Sequence, residues 1–154
     1  MSYREVDLYY EPDKTCAYIT DGENRNYSEM TIDQHAFLYG LLKEKYPKNI
    51  LEPGVAAGGT TAVVLTGLKM FDVNAKVYSV DVSEKWYRAK YLDTGFIAKK
   101  FMDCIIGKTQ HEFLLGKEIP YVIDEIGEGI DFLILDTTHV MRGNFWIFWF
   151  AFFI

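Results

Sequence analysis

The chain has 154 residues, enough for one domain with a sizeable apolar core. Apolar residues make up 49% and charged residues 25%, a globular rather than a disordered composition. A formal net charge of -6 argues against nucleic acid or an anionic membrane surface as the partner, because both demand clustered Lys and Arg.

Residues 1–30 mix polar and aromatic side chains around the turn signal Asp21-Gly22 and are predicted to be an irregular lead-in. Thr31-Ile32-Asp33-Gln34 then has the form of a capping box, in which a hydroxyl and an amide satisfy free N–H groups at a helix start. Phe37, Leu38, Leu41 and Leu42 follow as an apolar stripe at helical spacing, and Pro47 ends that helix. A strand is predicted over Asn49–Glu52, running into Pro53-Gly54, and a nearly continuous apolar helix over Thr60–Phe71. Lys76–Val80 reads as a second strand ending at Asp81, with Ser83 as N-cap of a helix over Glu84–Leu92. A third strand is expected over His111–Leu115, a helix between Pro120 and Gly127, and a fourth strand over Phe132–Leu135 ending in Asp136. Strands alternating with helices predict an α/β fold with a parallel sheet and right-handed crossovers.

The most informative segment is Leu51-Glu52-Pro53-Gly54-Val55-Ala56-Ala57-Gly58-Gly59-Thr60-Thr61, where a strand ends, small residues turn the chain and a helix begins. Glycine permits the sharp bend, and the helix start offers N–H groups and partial positive charge. Asp81, 27 residues after Gly54, stands where an acid bridges ribose hydroxyls in nucleotide-binding α/β folds. The two together favour a nucleoside-containing cofactor. The dinucleotide fingerprint requires G-x-G-x-x-G, whereas Gly54-x-Ala56-x-Gly58 has alanine in the middle and Glu52 two residues ahead. Gly107-Lys108-Thr109 mimics the end of a phosphate-binding loop, but the earlier glycine that motif needs is Met102.

The E-x-G-x-x-x-G form resembles motif I of class I S-adenosylmethionine-dependent methyltransferases. The segments 50–65, 77–90, 113–117 and 123–139 together resemble the bacterial group of macrocin O-methyltransferase and the cephalosporin hydroxylase-type proteins. That resemblance implies a Rossmann-like sheet of strand order 3-2-1-4 with flanking helices, spanning residues 31–141. It implies S-adenosylmethionine as cofactor and methyl transfer to a small-molecule or sugar hydroxyl. By position, Glu52, Gly54, Ala56 and Gly58 would surround the methionine part. Asp81 would hold the ribose, with Val82 and Ser83 along that edge, and Gly116 and Lys117 would flank the adenine. Asp136 would face the methyl group and could ligate Mg²⁺, as in metal-assisted relatives; His139 would be a candidate general base. His35 and His111 are read as ordinary structural histidines, and Trp86 and Tyr87 as packing.

Two rival functions carry over from the same residues. An NAD-type oxidoreductase is disfavoured by Ala56 and Glu52, and a cofactor-binding module or pseudoenzyme would keep the cradle without turnover. Cys16 and Cys104 are far apart and lack metal-ligand spacing, so free thiols in a reducing cytoplasm are expected. Residues 145–154 are wholly apolar and mostly aromatic, and too few for a membrane span. They are expected to be an aberrant tail, over 142–154, replacing the second half of the family's fold. The sheet would then be incomplete on its C-terminal side, with an open edge that leaves self-association into a homo-oligomer open.

Overall fold

The computed structural model describes residues 30–135. The lead-in before Met30, the tail over 142–154, and both Asp136 and His139 lie outside the described residues. Among these residues four helices and four strands alternate in the order α1 (Ile32–Lys45), β1 (Asn49–Pro53), α2 (Gly59–Met70), β2 (Lys76–Asp81), α3 (Phe96–Ile105), β3 (Gln110–Leu115), α4 (Ile119–Ile126) and β4 (Phe132–Leu133). The strands form one sheet in the order β3-β2-β1-β4, with all three pairings parallel. This is the parallel α/β arrangement that the alternating pattern predicts, in the Rossmann-like strand order that the resemblance implies.

Local chemistry explains the boundaries. Thr31 caps α1 by the expected box: its hydroxyl accepts the Gln34 N–H, and the Gln34 side chain accepts the Thr31 N–H. Tyr46 closes the helix in a left-handed conformation, immediately before Pro47. The buried face of α1 comprises Ala36, Leu38, Tyr39 and Leu42; Phe37, expected in the stripe, is largely exposed. Tyr39 takes its place because it packs on Gly67 of α2, where a Cβ would come within 2.7 Å of the Tyr39 ring. The small residue lets the two helices approach closely. Asp131 ties the opposite end of the sheet, accepting the N–H groups of Lys48 and Asn49 just before β4.

The sheet divides the apolar residues between its two faces by strict alternation. Ile50 and Val77 pack under α1, α2 and α3 with Ala62, Val63, Val64, Leu65 and Leu68. Leu51, Tyr78, Val80 and Leu114 face Val122 and Ile126 of α4. Complete burial of an aliphatic side chain such as Leu65 or Leu68 contributes about 1.5–3 kcal/mol each.

One predicted element is wrong. No helix spans Glu84–Leu92; the segment is a looped-out hairpin closed by a bridge between Lys85 and Asp93 and by the Trp86 N–H on the Leu92 carbonyl. Ser83 does not cap a helix. Its hydroxyl donates to the Lys85 carbonyl and accepts the Lys85 N–H, a local turn that competes with helix. The helix starts later, after Gly95 in a left-handed conformation, and runs over Phe96–Ile105 with Ile97, Ala98 and Ile105 buried. Among the described residues, no helix is long and apolar enough to cross a membrane.

Candidate functional site

Glu52, Gly54, Ala56, Gly58, Asp81, Val82, Ser83, Gly116 and Lys117 come together at the C-terminal edge of the sheet. Open α/β sheets bind ligands at this edge, beside the strand where the connection reverses, which here is β1 between β2 and β4. The loop between β1 and α2 bends through three residues of positive φ, Gly54 at 91°, Ala56 at 48° and Gly58 at 87°. A non-glycine residue in that region is uncommon, so Ala56 is held there by its surroundings.

Those surroundings are Asp81 and the start of α3. The Asp81 Oδ2 accepts the N–H groups of Val55 at 2.9 Å and Ala56 at 3.0 Å. Its Oδ1 accepts the Ser83 N–H at 2.9 Å. From the other side, the N–H groups of Gly95 and Ile97 donate to the carbonyls of Ala56 and Ala57. Gly54 N–H donates to the Val80 carbonyl and Gly58 N–H to the Val55 carbonyl. Four N–H groups of the loop are therefore satisfied inside the protein. Gly58 begins α2 without any side-chain cap; a Cβ on it would run into the Gly95 backbone, and one on Gly95 into the Phe113 ring.

Glu52 is 0% exposed and lies beneath the loop rather than on its surface. Its Oε2 accepts hydroxyl protons from Thr61 at 2.8 Å and Ser79 at 2.6 Å. Ser79 Oγ also lies 2.9 Å from His111 Nε2. Burial holds the His111 imidazole down at about 4, in its neutral form at physiological pH. Thr61, Ser79 and His111 were invisible as site residues because each looks ordinary alone. The one available signal is Ser79, a polar residue inside the buried run Val77-Tyr78-Ser79-Val80, which requires a partner.

Gly116 and Lys117 extend from β3 onto the same edge. The Lys117 N–H donates to the Asp81 carbonyl, and Gly116 has a φ of 70° with the Glu84 side chain against it. The Lys117 ammonium is paired with Glu125 at 2.8 Å, exposed to solvent. Val82 is 69% exposed beside Asp81, and Tyr87 and Tyr91 are exposed on the hairpin that follows. Among the described residues no group of three or more His, Cys, Asp or Glu side chains could hold a metal ion. Cys104 is a free, exposed thiol.

No protein-family model and no curated protein matches this sequence. The chemistry of the site therefore rests on its own geometry. A carboxylate already faces the loop amides, and its Oδ1, bonded to one N–H, keeps a lone pair for a hydroxyl donor. A ribose diol matches that acceptor.

Proposed function

We propose that this chain binds S-adenosylmethionine and is a methyltransferase acting on the hydroxyl of a small-molecule or sugar acceptor in a reducing cytoplasm. The observation that carries the reading is the position of the Asp81 carboxylate, bonded to the Val55 and Ala56 N–H groups of the glycine loop. The Val55 and Ala56 N–H groups are already bonded to Asp81, so these two amides are not open to a diphosphate. A nucleoside cofactor without a diphosphate presents ribose hydroxyls to the Asp81 Oδ1 acceptor. This favours a sulfonium nucleoside over a nicotinamide dinucleotide.

When bound, S-adenosylmethionine supplies an activated methyl group. The protein's part is to bind and orient. Asp81 accepts a ribose hydroxyl through Oδ1, Val82 offers an apolar surface at that edge, and Gly116 and Lys117 border the adenine side. Glu52 supports the loop from below. The acceptor loses its hydroxyl proton to a base, a role for which His139 remains the proposed residue, with Asp136 beside the methyl group and as the proposed Mg²⁺ ligand.

Calorimetry with S-adenosylhomocysteine and with NAD tests the reading. S-adenosylhomocysteine should bind more tightly, and Asp81→Ala should weaken it by about 1–3 kcal/mol, the cost of losing a part-buried hydrogen-bond partner. Tighter binding of NAD would overturn the assignment. Binding without methyl transfer to any hydroxylated acceptor would leave a cofactor-binding module.

A further inference from the structure

A polar line, buried at Glu52 and Ser79 and part-buried at His111, crosses three strands beneath the glycine loop. Glu52 on β1 and Ser79 on β2 are cross-strand neighbours in register. His111 on β3 pairs with Val77, two residues before Ser79 and on the same face of the sheet. Phe113 stacks edge to face on the imidazole with ring centroids 4.3 Å apart, and Gly95 rests on the Phe113 ring.

The protons along this line can be ordered. Each hydroxyl carries a single hydrogen. Thr61 and Ser79 both donate to Glu52 Oε2, so the Ser79 proton is committed to the carboxylate. The Ser79 oxygen can then only accept from His111, and Nε2 must be the nitrogen that carries the imidazole hydrogen. We propose that His111 is a positioning residue: as the Nε2–H tautomer it orients the Ser79 hydroxyl, which with Thr61 fixes the Glu52 carboxylate under the Gly54–Gly58 loop.

The physical reason is the cost of burying a carboxylate, whose Oε2 here takes both hydroxyl hydrogen bonds. A carboxyl group removed from water costs free energy that hydrogen bonds to it offset. A hydroxyl that accepts a hydrogen bond becomes a better donor in turn, so the imidazole strengthens the Ser79 bond to Glu52. Thr61 lies in the first turn of α2, where the helix dipole also favours a negative charge. The carboxylate thereby joins β1, β2 and the start of α2, the elements between which the loop is strung. The inference concerns the loop itself and does not depend on which cofactor binds.

Two measurements on the whole chain decide it, neither needing a ligand. In ¹⁵N-labelled wild-type protein, long-range proton–nitrogen spectra should show His111 as the neutral Nε2–H tautomer, and Ser79→Ala should abolish that preference. Finding His111 as the Nδ1–H tautomer in the wild type overturns the proposal. Hydrogen exchange then reads the loop. The Val55 and Ala56 amides should exchange about tenfold faster in His111→Leu and Ser79→Ala, the scale of one lost hydrogen bond. In His111→Gln, where a side-chain amide N–H can replace Nε2–H, the rates should stay near wild type. Equal rates in His111→Leu and His111→Gln, whether fast or slow, would reduce His111 to packing. If His111→Leu fails to fold, Ser79→Ala against His111→Gln gives the same comparison, and the wild-type tautomer stands as an independent arm.

Discussion

Gly58 sits against Gly95 at a separation that admits no side chain: a Cβ on Gly58 would lie 2.8 Å from the Gly95 Cα. Two loops that are far apart in sequence thus meet backbone to backbone, and the start of α3 becomes one wall of the cradle. Gly58→Ala must push Gly95 away and also place alanine at a φ of 87°. Gly129 has a similar φ of 88°, but only an ordinary contact with Asn49 at 3.9 Å. Gly129→Ala should therefore cost about 1–2 kcal/mol for the left-handed conformation alone. Gly58→Ala should cost clearly more and should release the loop, as measured by urea unfolding and loop amide exchange. Equal costs would mean that the Gly58–Gly95 contact yields easily.

Asp81 makes a sharper test through its amide analogue. Val55 and Ala56 donate to one oxygen and Ser83 to the other. Asparagine can offer its oxygen to one side only, and its NH₂ must then face an N–H donor on the other. Asp81→Asn is expected to destabilise by about 1–3 kcal/mol, close to Asp81→Ala, because a part-buried donor loses its acceptor. A denaturant titration in which Asp81→Asn matches the wild type would show that the loop does not need the carboxylate.

Stability should fall as pH falls from 7 towards 4. Burial lowers the His111 pKa from 6.5 to about 4, so below pH 6.5 the unfolded chain binds a proton that the folded one refuses. The stabilisation is complete above pH 6.5 and is lost progressively down to pH 4, a difference of about 3 kcal/mol for this group. Burial lowers His35 in the same direction and adds to the slope. Unfolding free energies measured between pH 7 and pH 4.5 should flatten in His111→Gln. An unchanged slope would mean that other groups dominate the acid limb.

Lys117 should matter little for folding. Its ion pair with Glu125 is solvent-exposed, and such pairs contribute at most about 1 kcal/mol. Lys117→Ala should leave the unfolding midpoint nearly unchanged. A weaker affinity for S-adenosylhomocysteine in that variant would then report a contact with the nucleoside rather than a damaged fold.

Much of the architecture was legible because local chemistry and long-range packing agree. The capping box at Thr31, the strand–turn–helix at 49–60 and the Pro120–Gly127 bracket each carry a mechanism that operates over a few residues. The misread segment over 84–92 shows the limit of that reasoning. Ser83 is as good a turn residue as a cap, and only the pairing of Lys85 with Asp93 and the seating of Trp86 on Phe96 choose between them.

The sequence by itself determined the parallel α/β order of the described elements and the gathering of a glycine loop and Asp81 at one sheet edge. Periodicity, turn residues and the handedness of crossovers are local or topological rules, and they require no knowledge of neighbours. Only the tertiary structure decided what the polar residues do. Whether Glu52 contacts a ligand or supports a loop depends on Thr61 and Ser79, nine and 27 residues away. Whether His111 is an ordinary histidine or part of that support depends on strand register, because a shift of one residue would turn its imidazole to the opposite face of the sheet.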